Sequence, residues 1–295
     1  MFTFIQHLAT GLQTGGVLAL LSTGLAVIFG VMRVVNFAQG DYVMLGMYAV
    51  FFAVGGTSLP ALLVAVCMLP VFAGLGALLH WILVSRVTGG KGGGADGHDA
   101  QLLLTLGLSL VLQSGVLMAF GANPRSLSET SSGRAWHLGG IVLDPSRTIG
   151  FVIAMAAAAA LFLFLARTPR GRQLRAAADD PVAATYVGVD VKGAHRLAFA
   201  VGIGLAGLGG GILATFYPIH PYISLDFIVL IFSAVVLGGL GSIPGAVIGG
   251  LVIGMVQSLS ELVLPTQLQI VGVFIVFLAV LYLRPQGLLG KVERK

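Results

Sequence analysis

Charge is what this sequence has least of. Asp, Glu, Lys and Arg make up 9% of its 295 residues, against roughly 25% in soluble globular domains. With 57% hydrophobic residues and a mean hydropathy of +1.00, the chain reads as a polytopic membrane protein. Apolar sequence fills so much of it that no separate soluble domain fits. Cysteine is nearly missing as well. Cys67 stands alone inside an apolar run, which excludes an internal disulfide and a cysteine-based redox or zinc framework. Residues 1–30 carry no Lys or Arg, and the first basic residue is Arg33. A cleaved signal begins with a basic segment, so the first apolar run reads as a retained helix with its N-terminus outside. The formal charge of +5 calls for no nucleic-acid partner, because the basic residues gather in loops, where they face cytoplasm and anionic headgroups.

Catalytic chemistry has no foothold either. His7, His80, His98, His137, His195 and His220 show no metal-ligand spacing. There is no Gly-x-Ser-x-Gly elbow and no carboxylate pair on one helix face. Gly202-x-Gly204-x-x-Gly207 fits a dinucleotide fingerprint in letters only. It lies inside a membrane-length apolar run, with no strand before it and no acidic residue placed for a ribose. Gly89-Gly90-Lys91-Gly92 lacks the Ser or Thr a phosphate loop needs after its lysine, and residues 88–98 read as a flexible linker. No metal, no cofactor and no enzymatic activity are expected, and the chain is not itself an ATPase.

What the chain has is apolar sequence and glycine. Runs of spanning length, about 20 residues, lie at about 10–31, 60–84, 101–121, 148–166, 196–217, 244–264 and 267–284, with shorter ones at about 42–55 and 227–240. The expected fold is all-α: one transmembrane helical bundle over residues 1–295, with eight or nine membrane segments, one or two of them short or broken. If both short runs cross, Arg33, Arg86 with Lys91, the 167–196 loop and the tail with Lys291, Arg294 and Lys295 all fall on one side. The positive-inside bias makes that side cytoplasmic, with the C-terminus there and the N-terminus periplasmic. The 122–147 loop, with Arg125, Arg134 and Arg147, is then external and long enough for a small cap.

Glycine supplies 43 residues, about twice its usual share of roughly 7%. Gly11/Gly15, Gly207/Gly211, Gly241/Gly245/Gly249 and Gly250/Gly254 stand four apart. Small residues at that spacing let helix backbones pack closely in lipid. No internal sequence repeat is convincing, which leaves room for pseudo-symmetry without one.

The longest strongly charged stretch, Arg167 to Arg196, stands between two apolar runs and must lie in water. Thr168-Pro169 and Asp180-Pro181 each offer a capping side chain followed by proline at the first helical position. Two short helices follow, the second stopping at Gly188. An ordinary basic loop and a docking element both fit this chemistry. Small Ala183 and Ala184 let a partner surface approach, and Arg170 and Arg175 offer ion pairs.

Uncharged or isolated polar groups mark the apolar runs: Asn36, Gln39, Gln113, Ser233 and Gln257, with Asp41 and Asp226 at segment edges and Glu261 near the end of its run. Each suits a transport pathway or a bond to a neighbouring helix. Ion-coupled carriers usually need strongly coordinating groups at the midplane, and apart from Glu261 this sequence offers few. The energy for transport is therefore expected from elsewhere.

Several stretches carry a resemblance. Ala183-Ala184-x-x-x-Gly188 is similar to the coupling-loop motif of ABC importer permeases, with Val182 where that motif opens on glutamate. Gly24-Leu25-x-x-Ile28-Phe29-Gly30-Val31-Met32-x-x-Val35-Asn36-Phe37-Ala38-Gln39-Gly40 comes first, with Gln39 at a usual histidine. Arg167-Thr168-x-Arg170-Gly171 runs on through Arg175-Ala176-x-Ala178-Asp179. Ala234-Val235-Val236-Leu237-Gly238-Gly239-Leu240-Gly241-Ser242-Ile243-Pro244-Gly245-Ala246 follows, and Leu283-Arg284-Pro285-Gln286-Gly287-Leu288-Leu289-Gly290 comes last. In this order and across the chain they resemble the permease family of high-affinity branched-chain amino acid ABC importers, and most closely the smaller of its two permeases.

The resemblance implies a multi-pass subunit of the bacterial inner membrane, within the lipid bilayer. It would pair with a second homologous permease, two cytoplasmic ABC ATPases and a periplasmic substrate-binding protein. Relatives carry leucine, isoleucine and valine; others carry different amino acids, urea or short amides, so the substrate stays open. An ATPase-coupling role falls on Arg170, Gly171, Arg175, Ala176, Asp179, Asp180, Pro181, Ala183, Ala184 and Gly188. A pathway role falls on Asn36, Gln39, Asp41, Gln113, Ser233, Gly238, Gly239, Gly241 and Glu261, the glycines and Pro244 breaking a helix to free backbone groups or simply packing tightly. A self-sufficient secondary carrier is the alternative of a different class.

Overall fold

In the computed structural model, which describes residues 2–57, 59–88, 95–127, 136–138, 141–265 and 268–290, helices end where the sequence stops favouring them. α1 (Phe2–Met32) runs to Arg33, whose left-handed backbone (φ 53°) turns the chain back into the bundle. α2 (Gln39–Gly56) follows after that turn. α3 (Ala61–Leu79) starts behind Pro60 and passes through a π-helical turn, His80–Val84, into α4 (Ser85–Thr88). α5 spans Ala95–Phe120. A hairpin of β1 (Trp136–Leu138) and β2 (Ile141–Leu143), antiparallel with His137 opposite Val142, supplies the small cap expected in the 122–147 loop.

α6 (Pro145–Arg167) is capped by Asp144, which accepts from the Ser146 and Arg147 amides. α7 (Pro169–Asp179), α8 (Pro181–Tyr186) and α9 (Val191–Leu213) come next. α10 (Ile223–Gly238), α11 (Ile243–Ser260) and α12 (Gln269–Leu283) complete the chain. The Gly89–Gly92 stretch, Arg134 and the tail with Lys291, Arg294 and Lys295 lie outside the described residues.

Among the described residues, six helices are long and apolar enough to cross a membrane, fewer than the eight or nine segments expected. The run at 267–284 is the exception among the seven long ones: its helix, α12, has 15 residues. Pro265 breaks the chain before it, and Arg284-Pro285 stops it. α2 and α10, the two short runs, have 18 and 16 residues. Both begin inside the bundle rather than at its ends.

α1 and α9 are the buried centre, and the glycine spacing explains how they are packed. Gly11 and Gly15 of α1 meet Met255 and Leu251 of α11, and a Cβ on Gly15 would stand 2.9 Å from the Leu251 carbonyl. Gly254 sits against the Gly15 backbone and Gly250 against Ala19. The two helices therefore touch backbone to backbone and run antiparallel. α3 and α9 do the same through Gly76 beside Ala200 and Gly211 beside Ala65. With no hydrophobic drive between helices in lipid, close backbone approach of this kind is what holds them together.

These contacts pair off in an inverted pattern. α1 packs on α11 as α9 packs on α3. α2 lies along α9, and α10 along α1. α1–α2–α3 and α9–α10–α11 therefore run through the bundle in opposite senses. A short sequence echo accompanies it. Gly55-Gly56-Thr57-Ser58-Leu59-Pro60-Ala61 leads into α3, and Gly238-Gly239-Leu240-Gly241-Ser242-Ile243-Pro244-Gly245 leads into α11.

Candidate functional site

One end of the bundle collects most of the described basic residues. Arg33 donates to the Asp179 carbonyl at 3.4 Å, which places the end of α1 beside α7. The ring of His80 lies 5.9 Å from that of Phe199, so Arg86 shares this end with Lys192 and Arg196. Gly30 lies against Gly241, and the turn after α12 docks here too: the Leu288 and Leu289 amides donate to the Leu237 and Gly238 carbonyls at 2.8 and 3.0 Å. At the opposite end, His7 faces Glu261 at 3.5 Å, Gln6 exchanges two hydrogen bonds with the Val142 backbone, and Arg147 stacks over Phe216. The N-terminal end of α1 and the 167–196 loop are thus at opposite ends.

Local chemistry builds the arginine-rich loop as its sequence promises. Thr168 caps α7 by accepting from the Gly171 amide at 3.0 Å. Asp180 caps α8 by accepting from Val182 and Ala183 at 2.8 and 3.0 Å. Gly188, at φ 83°, closes α8 in the left-handed region, where a side chain is strained. Gly171 and Leu174 are buried, Ala176 is half-buried, and Arg175 reaches back to the Leu165 carbonyl. These fasten α7 to α6, α9 and α1. Arg170, Asp179, Asp180, Pro181 and Ala183 are exposed, as are Val182, Tyr186 and Val187. Ala184 is buried instead; it is a packing residue that seats α8, not part of its outward face.

A second constellation lies inside the bundle. The Asn36 carboxamide oxygen accepts from the Ala38 amide at 3.2 Å, its nitrogen donates to Gln39 at 3.5 Å, and Gln39 donates to the Gly202 carbonyl at 3.3 Å. Asn36 also borders a small apolar hollow between Ile28, Met32, Val84 and Phe199. Gly40 packs on the Ser224 carbonyl, and Phe37 stacks on Phe232 at 5.5 Å. Asp41, read from sequence as an edge residue, is 2% exposed. It is deep because Arg33 turns the chain inward and α2 starts in the interior. The hydroxyls of Ser224 on α10 and Ser109, midway along α5, face its carboxylate.

The remaining pathway candidates divide. Ser233 is buried on α10. Gly238 is buried against Gly245, while Gly239 and Gly241, at φ 104° and 80°, form the tight turn between α10 and α11. Pro244 is not the breaker; it occupies the first turn of α11, capped by Ser242. Gln113 is half-buried on α5. Glu261 is exposed at the end opposite the loop and stands apart from the others. Sequence reasoning missed Ser109 and Ser224; each gains its meaning only from the packing of α5 and α10 against α2, which brings both hydroxyls to Asp41.

Comparison with known proteins adds one family and several relatives. The family described as branched-chain amino acid transport system permease component matches residues 7–283. The high-affinity branched-chain amino acid transport system permease protein LivH of Escherichia coli strain K12 is 30% identical, covering 98% of this chain and 96% of its own. The corresponding permease protein BraD of Pseudomonas aeruginosa is 28% identical over 99% and 98%. A probable branched-chain amino acid transport permease LivH of Methanocaldococcus jannaschii is 30% identical over 92% and 88%. No solved structure matches the chain.

Proposed function

Because this chain belongs to the family of branched-chain amino acid transport system permease components, we propose that it is one of two permease subunits of an ATP-driven importer. It would act in the bacterial inner membrane and carry leucine, isoleucine and valine. A second homologous permease completes the pathway, two ABC ATPases drive it from the cytoplasm, and a periplasmic binding protein delivers the substrate.

The observation that carries this reading is the helix pair α7–α8. α7 is fastened to the ends of α1, α6 and α9, while α8 turns Val182, Ala183, Tyr186 and Val187 outward. Tyr186 is 86% exposed. An apolar, capped helical turn next to the arginines of α7 suits a protein partner better than bulk water. A push there reaches α9, the buried centre, as a rigid-body movement. The arginine-rich end is then cytoplasmic, and Glu261 and His7 belong to the periplasmic mouth. Asn36, Gln39, Asp41, Ser233 and the 238–241 turn border the route, with Gln113 of α5 across from them.

Reconstitution tests this reading. Proteoliposomes holding both permeases, both ATPases and the binding protein take up leucine only with ATP. The chain alone, under a sodium or proton gradient, takes up none. Gradient-driven uptake by the chain alone overturns the subunit reading.

A further inference from the structure

Among the buried polar groups at the start of α2, the amides pair with each other and with backbone, while the carboxylate has hydroxyls beside it but, among the described residues, no cation. Asn36 and Gln39 spend their hydrogen bonds on Ala38, each other and Gly202. One oxygen of Asp41 and the hydroxyl of Tyr42 make no hydrogen bond, while the Ser109 and Ser224 hydroxyls stand beside the carboxylate. Asp41, Tyr42 and Ser224 are at most 2% exposed. Among the described residues the ion pairs are His7–Glu261 and Arg147–Asp144, and neither reaches Asp41.

We propose that the Asp41 carboxylate, with the Ser224 and Ser109 hydroxyls beside it, receives the ammonium group of the amino acid during transport. This rests on the importer reading above and adds the group that recognises the substrate.

Three arguments carry it. The first is chemical. An ionised carboxylate surrounded by hydrocarbon is strongly disfavoured unless a cation or hydrogen bonds compensate it, and an aliphatic amino acid arrives with a cation that must itself leave water. Each solves the other's problem. Hydroxyls stand beside Asp41, but among the described residues no cation does.

The second is positional. Asp41 lies midway along α5, where the first turns of α2 and α10 meet. Those two helices are counterparts in the inverted halves. Transporters built from inverted repeats place their substrate at such a repeat interface, near the midplane, beside helices that begin in the interior.

The third is steric. Next to Asp41 in the chain, Gly40 packs on Ile228, and Phe37 stacks on Phe232 of the same helix α10. They suit a branched aliphatic side chain once its ammonium is held.

The assembled importer in proteoliposomes tests the proposal. Asp41→Asn, equal in size, lowers leucine uptake at least roughly 30-fold, as expected when a buried ammonium loses its charged partner. Asp41→Glu restores a substantial part of it. A hydrophobic carbodiimide labels Asp41 in the unmutated importer, and mass spectrometry reads labelling slowed several-fold by leucine during turnover. A structural carboxylate would not show that protection.

Wild-type uptake by Asp41→Asn, or labelling unaffected by leucine, overturns the proposal. So does an importer that carries urea and not leucine, because urea has no ammonium. Leucine uptake that requires sodium and loses the requirement in Asp41→Asn overturns it in favour of a free cation. ATP-independent uptake by the chain alone removes the importer reading instead, and leucine protection of Asp41 is measured separately from that outcome.

Discussion

Gln39 on α2 donates its side-chain amide to the carbonyl of Gly202, 3.3 Å away in the interior of α9. The two residues are 163 positions apart in sequence. Their contact is possible because Gly24 of α1 has no side chain in the way: a Cβ there would stand 2.9 Å from the Gly202 carbonyl and 3.4 Å from the Gln39 nitrogen. The bond ties the first turn of a short interior helix to the buried centre of the bundle.

Replacing Gln39 with leucine should test how much that tie contributes. A buried hydrogen bond is worth about 1 kcal/mol net, and leaving its partner unmatched costs about 1–3 kcal/mol. Asn36 also loses its acceptor in this variant. Thermal unfolding of the purified permease should report a loss within that range; an unchanged melting temperature would show the network to be energetically idle.

The α1–α11 crossing makes a sharper contrast. Gly254 lies against the Gly15 backbone, whereas a Cβ on Gly107 of α5 meets nothing within 4 Å. Gly254→Leu should therefore prevent close approach and destabilise by more than the roughly 1–3 kcal/mol typical of overpacking. Gly107→Leu should insert and melt like the parent. Membrane yield and melting temperature compare the two directly.

The outward face of α8 should control coupling without controlling stability. Tyr186→Ala removes an exposed ring and is expected to leave folding within about 0.5 kcal/mol of the parent. In the assembled importer it should lower ATP-driven uptake at least several-fold while hydrolysis continues. Ala183→Trp should act likewise. Ala184→Trp should fail differently, by loss of stability, because that residue is buried. Equal stability of the two tryptophan variants would contradict the assignment of faces.

Asp180 offers a local test. Its carboxylate accepts from two α8 amides, and losing an N-cap costs about 1 kcal/mol. In Asp180→Ala, hydrogen exchange at the α8 amides should speed up about five-fold, while amides in α9 stay as they were.

The sequence discloses local chemistry more readily than depth. Thr168-Pro169, Asp180-Pro181 and Gly188 each act on their own few residues, and all three do in the structure what their local chemistry dictates. The pairs Gly11/Gly15, Gly207/Gly211 and Gly250/Gly254 are legible for a similar reason, since spacing four apart already defines a helix face, whereas Gly241 falls in the turn before α11 and not on it. Asp41 is different. A charged residue at the edge of an apolar run reads as interfacial, and only the left-handed turn at Arg33 carries it inward. Glu261 errs the other way: it belongs to a long apolar run by composition, yet α11 has ended at Ser260 and the carboxylate is exposed. The inverted halves leave almost no trace beyond the two Gly-Gly turns, because packing in lipid constrains residue size more than residue identity.

The inverted halves have a consequence for direction. Turned upside down, the core of α1, α2, α3 and α9, α10, α11 keeps the same order of helix partners. In that respect the core alone sets no front or back. One-way traffic must then be imposed by whatever fastens at the two rims, and the rims are unlike: arginines and two capped turns at one, a strand hairpin and a histidine–glutamate pair at the other.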